Sequence, residues 1–366
     1  MKRNIKKVAV LGSGIMGSRI ACHFANIGVE VLLLDIVPFE LTDAEKDKGL
    51  TKEDPQVRNR IVNEAFESTL KGKPASLYHK DFANRISLGN FDDDMHKIKD
   101  CDWVLEAVVE RLDIKKKVFS KVEEHRTKGT IISSNTSGIP IHMMLEERSE
   151  DFQKHFIGTH FFNPPRYLKL LEIIPTPKTD QAITDFLMHY GDLYLGKTTV
   201  LCKDTPAFIA NRVGIYAILK VVESMQKLGM NIDEIDKLTG PVIGRPKSAT
   251  FRTSDVVGLD TLIKVANGLY ENLPNDEARE TFNLPDVIGK LEDNKWLGDK
   301  TGQGFYKKTK KDGKTEILTL DLESMEYKPK SKPKFSTLES TKQISNLKER
   351  FPVLLGGKDH LRLGIL

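Results

Sequence analysis

A histidine and a carboxylate lie twelve residues apart in two segments that are otherwise apolar. His160 sits in Gly158-Thr-His160-Phe-Phe-Asn-Pro-Pro165, and Glu172 in Leu170-Leu-Glu172-Ile-Ile174. An imidazole whose N–H is held by a carboxylate is fixed in one tautomer, and the imidazolium formed when it takes a proton is stabilised. Such a pair can accept the proton of a substrate alcohol. Asn163-Pro164-Pro165 forces a turn just after the histidine, which places His160 near a strand end, where open α/β sheets line their ligand crevice. Glu172 is the only charged residue of its segment, and a carboxylate in so apolar a strand needs a partner. The bland reading is a buried structural His–Glu pair.

A second set of residues lies at the start of the chain. Gly12-Ser-Gly14-Ile15-Met16-Gly17 follows the apolar run Val8–Leu11 and opens a helical pattern through Ile20, Ala21, Phe24 and Ile27. Val31–Leu34 then reads as a second buried strand ending at Asp35. Strand, glycine turn, helix, strand and terminal acid are the context a dinucleotide fingerprint requires. Gly12 allows the tight turn, Gly14 lets the backbone approach a pyrophosphate, and Gly17 lets helix and strand pack closely. The helix start, with Ile15 and Met16, supplies N–H groups to the anion. Asp35 would accept the ribose hydroxyls and repel a 2′-phosphate, and Ile36 and Val37 provide no arginine to welcome one, so NAD is favoured over NADP. The alternative is an ordinary βα turn with Asp35 in a loop.

Ser133-Ser-Asn135-Thr-Ser137-Gly138 ends a further apolar run and reads either as a polar cradle at the ligand edge or as a plain loop before Pro140. Glu106 and Glu110 invite the same comparison. Glu106 is read as simply ending its strand.

The elements that must position these residues alternate. Strands are expected at 85–88, 103–107, 130–133, 157–162, 169–174 and 198–202, several of them separated by helical patterns. That is the pattern of an α/β, doubly wound, mainly parallel sheet. Residues 40–80 break the rhythm as a polar helical excursion with a helix from Val57 to Leu70. At Asp204-Thr205-Pro206 the character changes. Thr205 suits an N-cap and Pro206 a first helical turn, so a long helix is expected from there to Leu228. Helical patterns near 231–239, 254–272 and 285–296 complete an all-helical domain, 206–310. The remaining 311–366 are Lys-rich, with a strand at Glu316–Leu320 and one helix near 337–351. The first domain is thus 1–205 with its flap at 40–80.

The 366 residues suffice for two domains, and the net charge of +4 gives no reason to expect nucleic acid. Cys22, Cys101 and Cys202 are odd in number and widely spaced, which suggests neither a zinc site nor a disulfide framework. With no apolar stretch long enough for a signal peptide or membrane span, a cytoplasmic protein without membrane insertion and without a metal is expected.

The segments VAVLGSGIMGSRIA, VLEAVVERLDIKKKVF, SSNTSGIPI, GTHFFNPP, LLEIIPTP, CKDTPAFIANR, DVVGLD and KTGQGFYKK run in order over roughly residues 5–308. Together they resemble the 3-hydroxyacyl-CoA dehydrogenases of β-oxidation. The resemblance implies oxidation of an L-3-hydroxyacyl-CoA to the 3-ketoacyl-CoA, with His160 as general base and Glu172 orienting it. It also implies Ser137 and Asn211 at the substrate. Gly12, Gly14, Gly17, Asp35, Glu110, Lys115, Ser137 and Lys300 would make NAD contacts, and Asn135 would support the cradle beside the nicotinamide. Residues 40–80 would form a flap over the CoA moiety, with Lys71, Lys73 and Lys80 as candidates for its phosphates. A homodimer through the helical domain is implied as well. Two positions depart from the family pattern: Ala207 stands where a glycine is usual, and Gly244–Thr250 replaces a Pro-Met-Gly-Pro stretch, which leaves the acyl-chain preference open. Longer relatives continue into a second helical domain and an enoyl-CoA hydratase domain. The apolar residues of Pro352–Leu355 and Leu361–Leu366 therefore suggest an N-terminal portion of such a protein, the alternative being a tail folded back on its own core. Two further functional classes are a dehydrogenase of a free hydroxy acid or sugar acid, and a non-catalytic nucleotide-binding module.

Overall fold

Val8-Ala-Val-Leu11 carries no polar side chain, so a strand made from it must be covered on both faces. In the computed structural model, which describes residues 3–311 and 313–357, it lies inside an eight-stranded sheet and every one of those four residues is fully buried. The chain divides into two units, Met1–Ile209 and Ala210–Leu366.

The first unit runs β1 (Lys7–Leu11), α1 (Ile15–Asn26), β2 (Glu30–Asp35), then α2 (Asp43–Asp47), α3 (Pro55–Arg58) and α4 (Arg60–Lys71). It returns to the sheet with β3 (Ile86–Asn90), β4 (Trp103–Glu106), α5 (Leu112–His125), β5 (Ile131–Ser134), α6 (Glu150–His155) and β6 (Phe156–Phe161). It ends with β7 (Leu170–Pro175), α7 (Gln181–Leu193) and β8 (Thr198–Leu201). The strand order is β3-β2-β1-β4-β5-β6-β7-β8, with every neighbour parallel except β6 and β7. The order reverses between β1 and β4, which makes a crevice at the carboxyl ends of those strands. The polar excursion is helical as expected, but Asn59 interrupts it, so α3 and α4 replace one helix. Two apolar layers, one built around Phe24, Trp103 and Phe161 and the other around Phe119, Phe152 and Phe156, fill the two sides of the sheet.

The second unit begins with α8 (Ala210–Leu228), followed by α9 (Ile232–Leu238), α10 (Phe251–Val257), α11 (Leu259–Asn272) and α12 (Asp286–Asp293). The long helix does not start at Pro206. Ala207 and Phe208 take φ of 59° and 50°, a left-handed conformation that cannot continue a helix, so α8 starts three residues later than Ala207. The pattern at 254–272 is likewise two helices, broken at Gly258, where φ is +99°.

β9 (Tyr306–Lys311), β10 (Lys314–Leu320) and β11 (Tyr327–Pro329) form a small antiparallel sheet. Only the middle strand was expected. The single helix expected near 337–351 is two, α13 (Ser336–Ser340) and α14 (Leu347–Leu355). The Ser340 and Thr341 hydroxyls donate to the carbonyls of Thr337 and Leu338, satisfying the end of α13 where it stops. Within Pro352–Leu355 only Leu354 is covered: it is fully buried and clusters with Leu238, Phe335 and Leu338, while Pro352, Val353 and Leu355 are exposed. Leu361–Leu366 lie outside the described residues. No helix of the described residues is long and apolar enough to cross a membrane, and none of their His, Cys, Asp and Glu side chains group in threes as metal ligands would.

Candidate active site

The one antiparallel pairing of the sheet makes the dyad. In the β6–β7 register His160 stands directly opposite Glu172, so side chains twelve residues apart in sequence share one face. His160 Nδ1 is 2.7 Å from Glu172 Oε2, and both residues are buried. An ionised carboxylate only accepts, so Nδ1 carries the proton and Nε2 keeps its lone pair. The second Glu172 oxygen accepts the Ile209 N–H at 3.1 Å. Burial, reinforced by the Glu172 charge, pushes the Cys202 thiol up to about 12, which keeps it protonated beside the carboxylate. The rings of Phe162 and Phe208 flank the imidazole, with centroids at 4.3 and 5.9 Å. Asn135, just past β5, accepts the Phe161 N–H at 2.9 Å and so ties the polar cluster to the strand residue next to His160.

The three glycines of the first turn differ in what they meet. A Cβ on Gly12 would lie 2.6 Å from the Ala107 carbonyl oxygen, and φ there is +100°. A Cβ on Gly17 would lie 1.8 Å from the Gly12 carbonyl oxygen. Both glycines are demanded by the fold, at the point where β1 and β4 diverge. Gly14 has φ −55° and no atom within 4 Å of such a Cβ, so the protein itself does not require glycine there. No side chain caps α1, which leaves its first N–H groups to an anion. Ile15 is exposed beside them, while Met16 packs against the core. Asp35 ends β2 as expected. Its carboxylate accepts the Ser13 N–H and hydroxyl, each at 2.5 Å, and the Ile36 N–H at 2.7 Å. Turn, bare helix start and acid therefore fit the dinucleotide that the spacing suggested.

Glu110 and Lys115 join a network that was not foreseen. Glu106 does end β4, but it is fully buried and is the partner of Lys115, whose Nζ lies 2.7 Å away. Lys115, itself 1% exposed, also reaches Glu110 at 3.2 Å. Glu106 further accepts the Ser134 hydroxyl at 2.5 Å and the Val108 N–H at 2.7 Å. Glu110 accepts from the Thr136 hydroxyl at 2.6 Å, the Ser137 N–H at 2.9 Å and the Ser137 hydroxyl at 3.2 Å. Lys115 is thus engaged by two carboxylates inside the protein, and the Glu110 carboxylate shapes the Ser137 turn. The signal was present: Lys115 falls on the buried stripe of α5 with Val118, Phe119 and Val122.

The other expected residues are more dispersed. Lys71, Lys73 and Lys80 are exposed, with Lys71 paired to Glu67 at 3.3 Å. Asn211 and Lys300 belong to the second unit. Asn211 lies in the first turn of α8, next to Arg212, which pairs with Asp276. Lys300 pairs with Asp260. The glycines around Lys300 serve the fold, since a Cβ on Gly298 or Gly304 would strike Asp255, 2.3 Å from its carbonyl oxygen or 2.2 Å from its carboxylate. That carboxylate, raised to about 6 by burial, accepts the Phe305 and Tyr306 N–H groups.

Comparison with known proteins bears on this arrangement. Residues 7–205 match the family model described as 3-hydroxyacyl-CoA dehydrogenase, NAD binding domain, and residues 208–308 that of the C-terminal domain of the same family. The chain is 51% identical over 98% of its length to a probable 3-hydroxyacyl-CoA dehydrogenase of Bacillus subtilis, and spans 45% of that protein. It is 47% identical to a probable 3-hydroxyacyl-CoA dehydrogenase of Deinococcus radiodurans, over 84% of each chain. Among solved structures it resembles the (S)-3-hydroxybutyryl-CoA dehydrogenase PaaH1 of Ralstonia eutropha, at a TM-score of 0.65 and 27% identity over 82% of this chain and 98% of that one.

Proposed function

The chain belongs to the 3-hydroxyacyl-CoA dehydrogenase family, and on that premise we propose that it oxidises an L-3-hydroxyacyl-CoA to the 3-ketoacyl-CoA with NAD, His160 serving as the base. The observation that carries this reading is the buried His160–Glu172 pair, which leaves Nε2 as the acceptor for the substrate hydroxyl proton. As that proton arrives, the Glu172 carboxylate offsets the charge on the imidazolium, and Phe162 and Phe208 keep water from the ring. Bound at the glycine turn, NAD supplies the acceptor for the hydride that leaves C3. Glu110 fixes Ser137 for contact with the substrate and the cofactor. Asn211 completes the substrate contacts, and Lys71 and Lys73 meet the CoA phosphates. Three buried, free thiols suit a cytoplasmic location, and exposed Val213, Tyr216, Val256 and Val257 suit a homodimer through the second unit. The test is loss of NADH absorbance with 3-ketoacyl-CoA thioesters of increasing length, set beside the corresponding free acids. Turnover of the free acids but not the thioesters would replace this reading with that of a hydroxy-acid dehydrogenase.

Two expected results follow from the cofactor end. Gly14→Ala should leave the unfolding free energy unchanged or raise it by about 0.4–1 kcal/mol, because the site is open and the unfolded chain loses freedom. The same variant should weaken NAD binding at least tenfold, since the added methyl occupies the space a pyrophosphate needs. Equilibrium unfolding and fluorescence titration with NADH check both halves. The second result concerns selectivity. The Asp35 carboxylate and the Ile36 side chain disfavour a 2′-phosphate, so the ratio of kcat/KM for NAD and NADP should favour NAD strongly. It should erode or reverse in the Asp35→Ser, Ile36→Arg double variant. Equal values for both cofactors in the unaltered protein would contradict the role given to Asp35.

A further inference from the structure

Lys197 lies in the turn before β8 and is 7% exposed. Its ammonium donates to the Pro165 carbonyl and, at 2.9 Å, to the Leu168 carbonyl. Its other neighbours are the Phe161 ring, whose centroid is 5.9 Å away, and His23. His23 is held down to about 4 by burial first and then by the Lys197 charge, so it is neutral and adds no second positive charge. Among the described residues no carboxylate comes within ion-pair distance of Lys197. A buried ammonium without a carboxylate is expensive. Burial alone brings its pKa from 10.5 to about 8. The folded protein therefore binds fewer protons than the unfolded chain between those two values, and stability rises with pH across that window. At neutral pH Lys197 carries its charge at a cost to stability.

What the ammonium holds is the connection between the two strands of the dyad. The turn Asn163–Leu168 leaves β6 three residues after His160 and enters β7 before Glu172. It is tied from two other directions. Arg19 of α1 donates to the Asn163 side chain at 2.6 Å. Arg166 donates to the carbonyls of Ala75 at 2.8 Å and Leu77 at 2.7 Å, and the Tyr167 hydroxyl donates to Ala75 at 3.0 Å. The turn thus connects the dyad to the helix at the glycine turn and to the end of the excursion that follows α4. Lys197 grips it through the carbonyls of Pro165 and Leu168.

We propose that Lys197 is a positioning residue for His160, its ammonium bracing the Asn163–Leu168 turn so that β6 presents the imidazole in one place. This rests on the reading of His160 as the base. The test compares Lys197→Met, which keeps the length and removes both donors, with Lys197→Arg, which keeps donors and charge. Lys197→Met should lower kcat at least tenfold while KM for NAD stays within about twofold, and Lys197→Arg should recover most of the loss. Each variant is checked for an unchanged far-ultraviolet spectrum and a cooperative melt. A Lys197→Met protein with kcat within twofold of the parent overturns the proposal. So does one that loses NAD affinity and cooperative melting together with kcat, which would mark a purely structural residue. A folded Lys197→Arg protein as impaired as Lys197→Met also overturns it. If His160→Gln keeps full activity, the base assignment itself has failed. If only His160→Gln is inactive, the bracing role alone has failed.

Discussion

His160→Gln should lower kcat by about 10²–10⁴-fold, the range over which a positioned base contributes, while NADH binds nearly as before. The amide can fill the place of the ring and donate to Glu172, but it has no basic nitrogen for the hydroxyl proton. The loss should therefore appear in kcat and not in cofactor affinity. Stopped-flow oxidation of NADH by a 3-ketoacyl-CoA, with a parallel fluorescence titration, separates the two. A variant retaining most of its kcat would end the assignment of His160. Glu172→Gln makes the complementary case, because it keeps the shape and one acceptor atom yet removes the charge opposite the imidazolium. Its effect should be smaller and still plain.

The second large effect is on stability. Lys115→Met should destabilise the protein by about 3–5 kcal/mol at neutral pH, because it strands a buried carboxylate. Burial already raises the Glu106 carboxyl, against the pull of Lys115 and the Ser134 and Val108 donors. Burial also acts to raise Glu110, but Lys115, Thr136 and Ser137 outweigh it and hold that carboxyl below its usual value. Without the lysine, the folded-state value of Glu106 rises further above its ordinary 4.5. A carboxyl raised in the folded state takes up a proton on folding, so the deficit grows as pH rises above that ordinary value and shrinks toward pH 4. Urea unfolding across this range measures the trend. Adding Glu106→Gln to Lys115→Met should restore part of the loss at neutral pH, and a double variant no more stable than the single would show that the pairing with Glu106 is not the cause.

The glycine turn and Asp35 were legible in the chain because their context is local: strand, turn, helix and acid follow one another within about thirty residues, as the fingerprint requires. His160 and Glu172 were legible as an apolar-embedded pair, but the reason they meet was not. It lies in the single reversal of strand direction in the sheet, and strand direction is not written in hydrophobic pattern. The Glu106–Lys115 pair escaped because charged side chains default to the surface, although Lys115 stands on a buried helical stripe. The start of α8 was misplaced since a Thr-Pro pair looks like a helix entrance, and nothing in Ala207 or Phe208 announces a left-handed backbone. β9 and β11 were missed for a simpler reason: strands rich in lysine on the edges of a small sheet lack the apolar alternation by which strands are recognised.

The unequal surroundings of the three glycines also say how such a chain would age if selection on its chemistry were relaxed. Gly12 and Gly17 would persist, because replacing either drives an atom into backbone and the domain suffers. Gly14 has no such protection and would be the first of the three to drift. A descendant with this fold and both outer glycines but a side chain at the middle position would be marked as a relic that no longer holds a dinucleotide. The middle glycine is thus the position of the fingerprint that separates a working dehydrogenase from a scaffold that only resembles one.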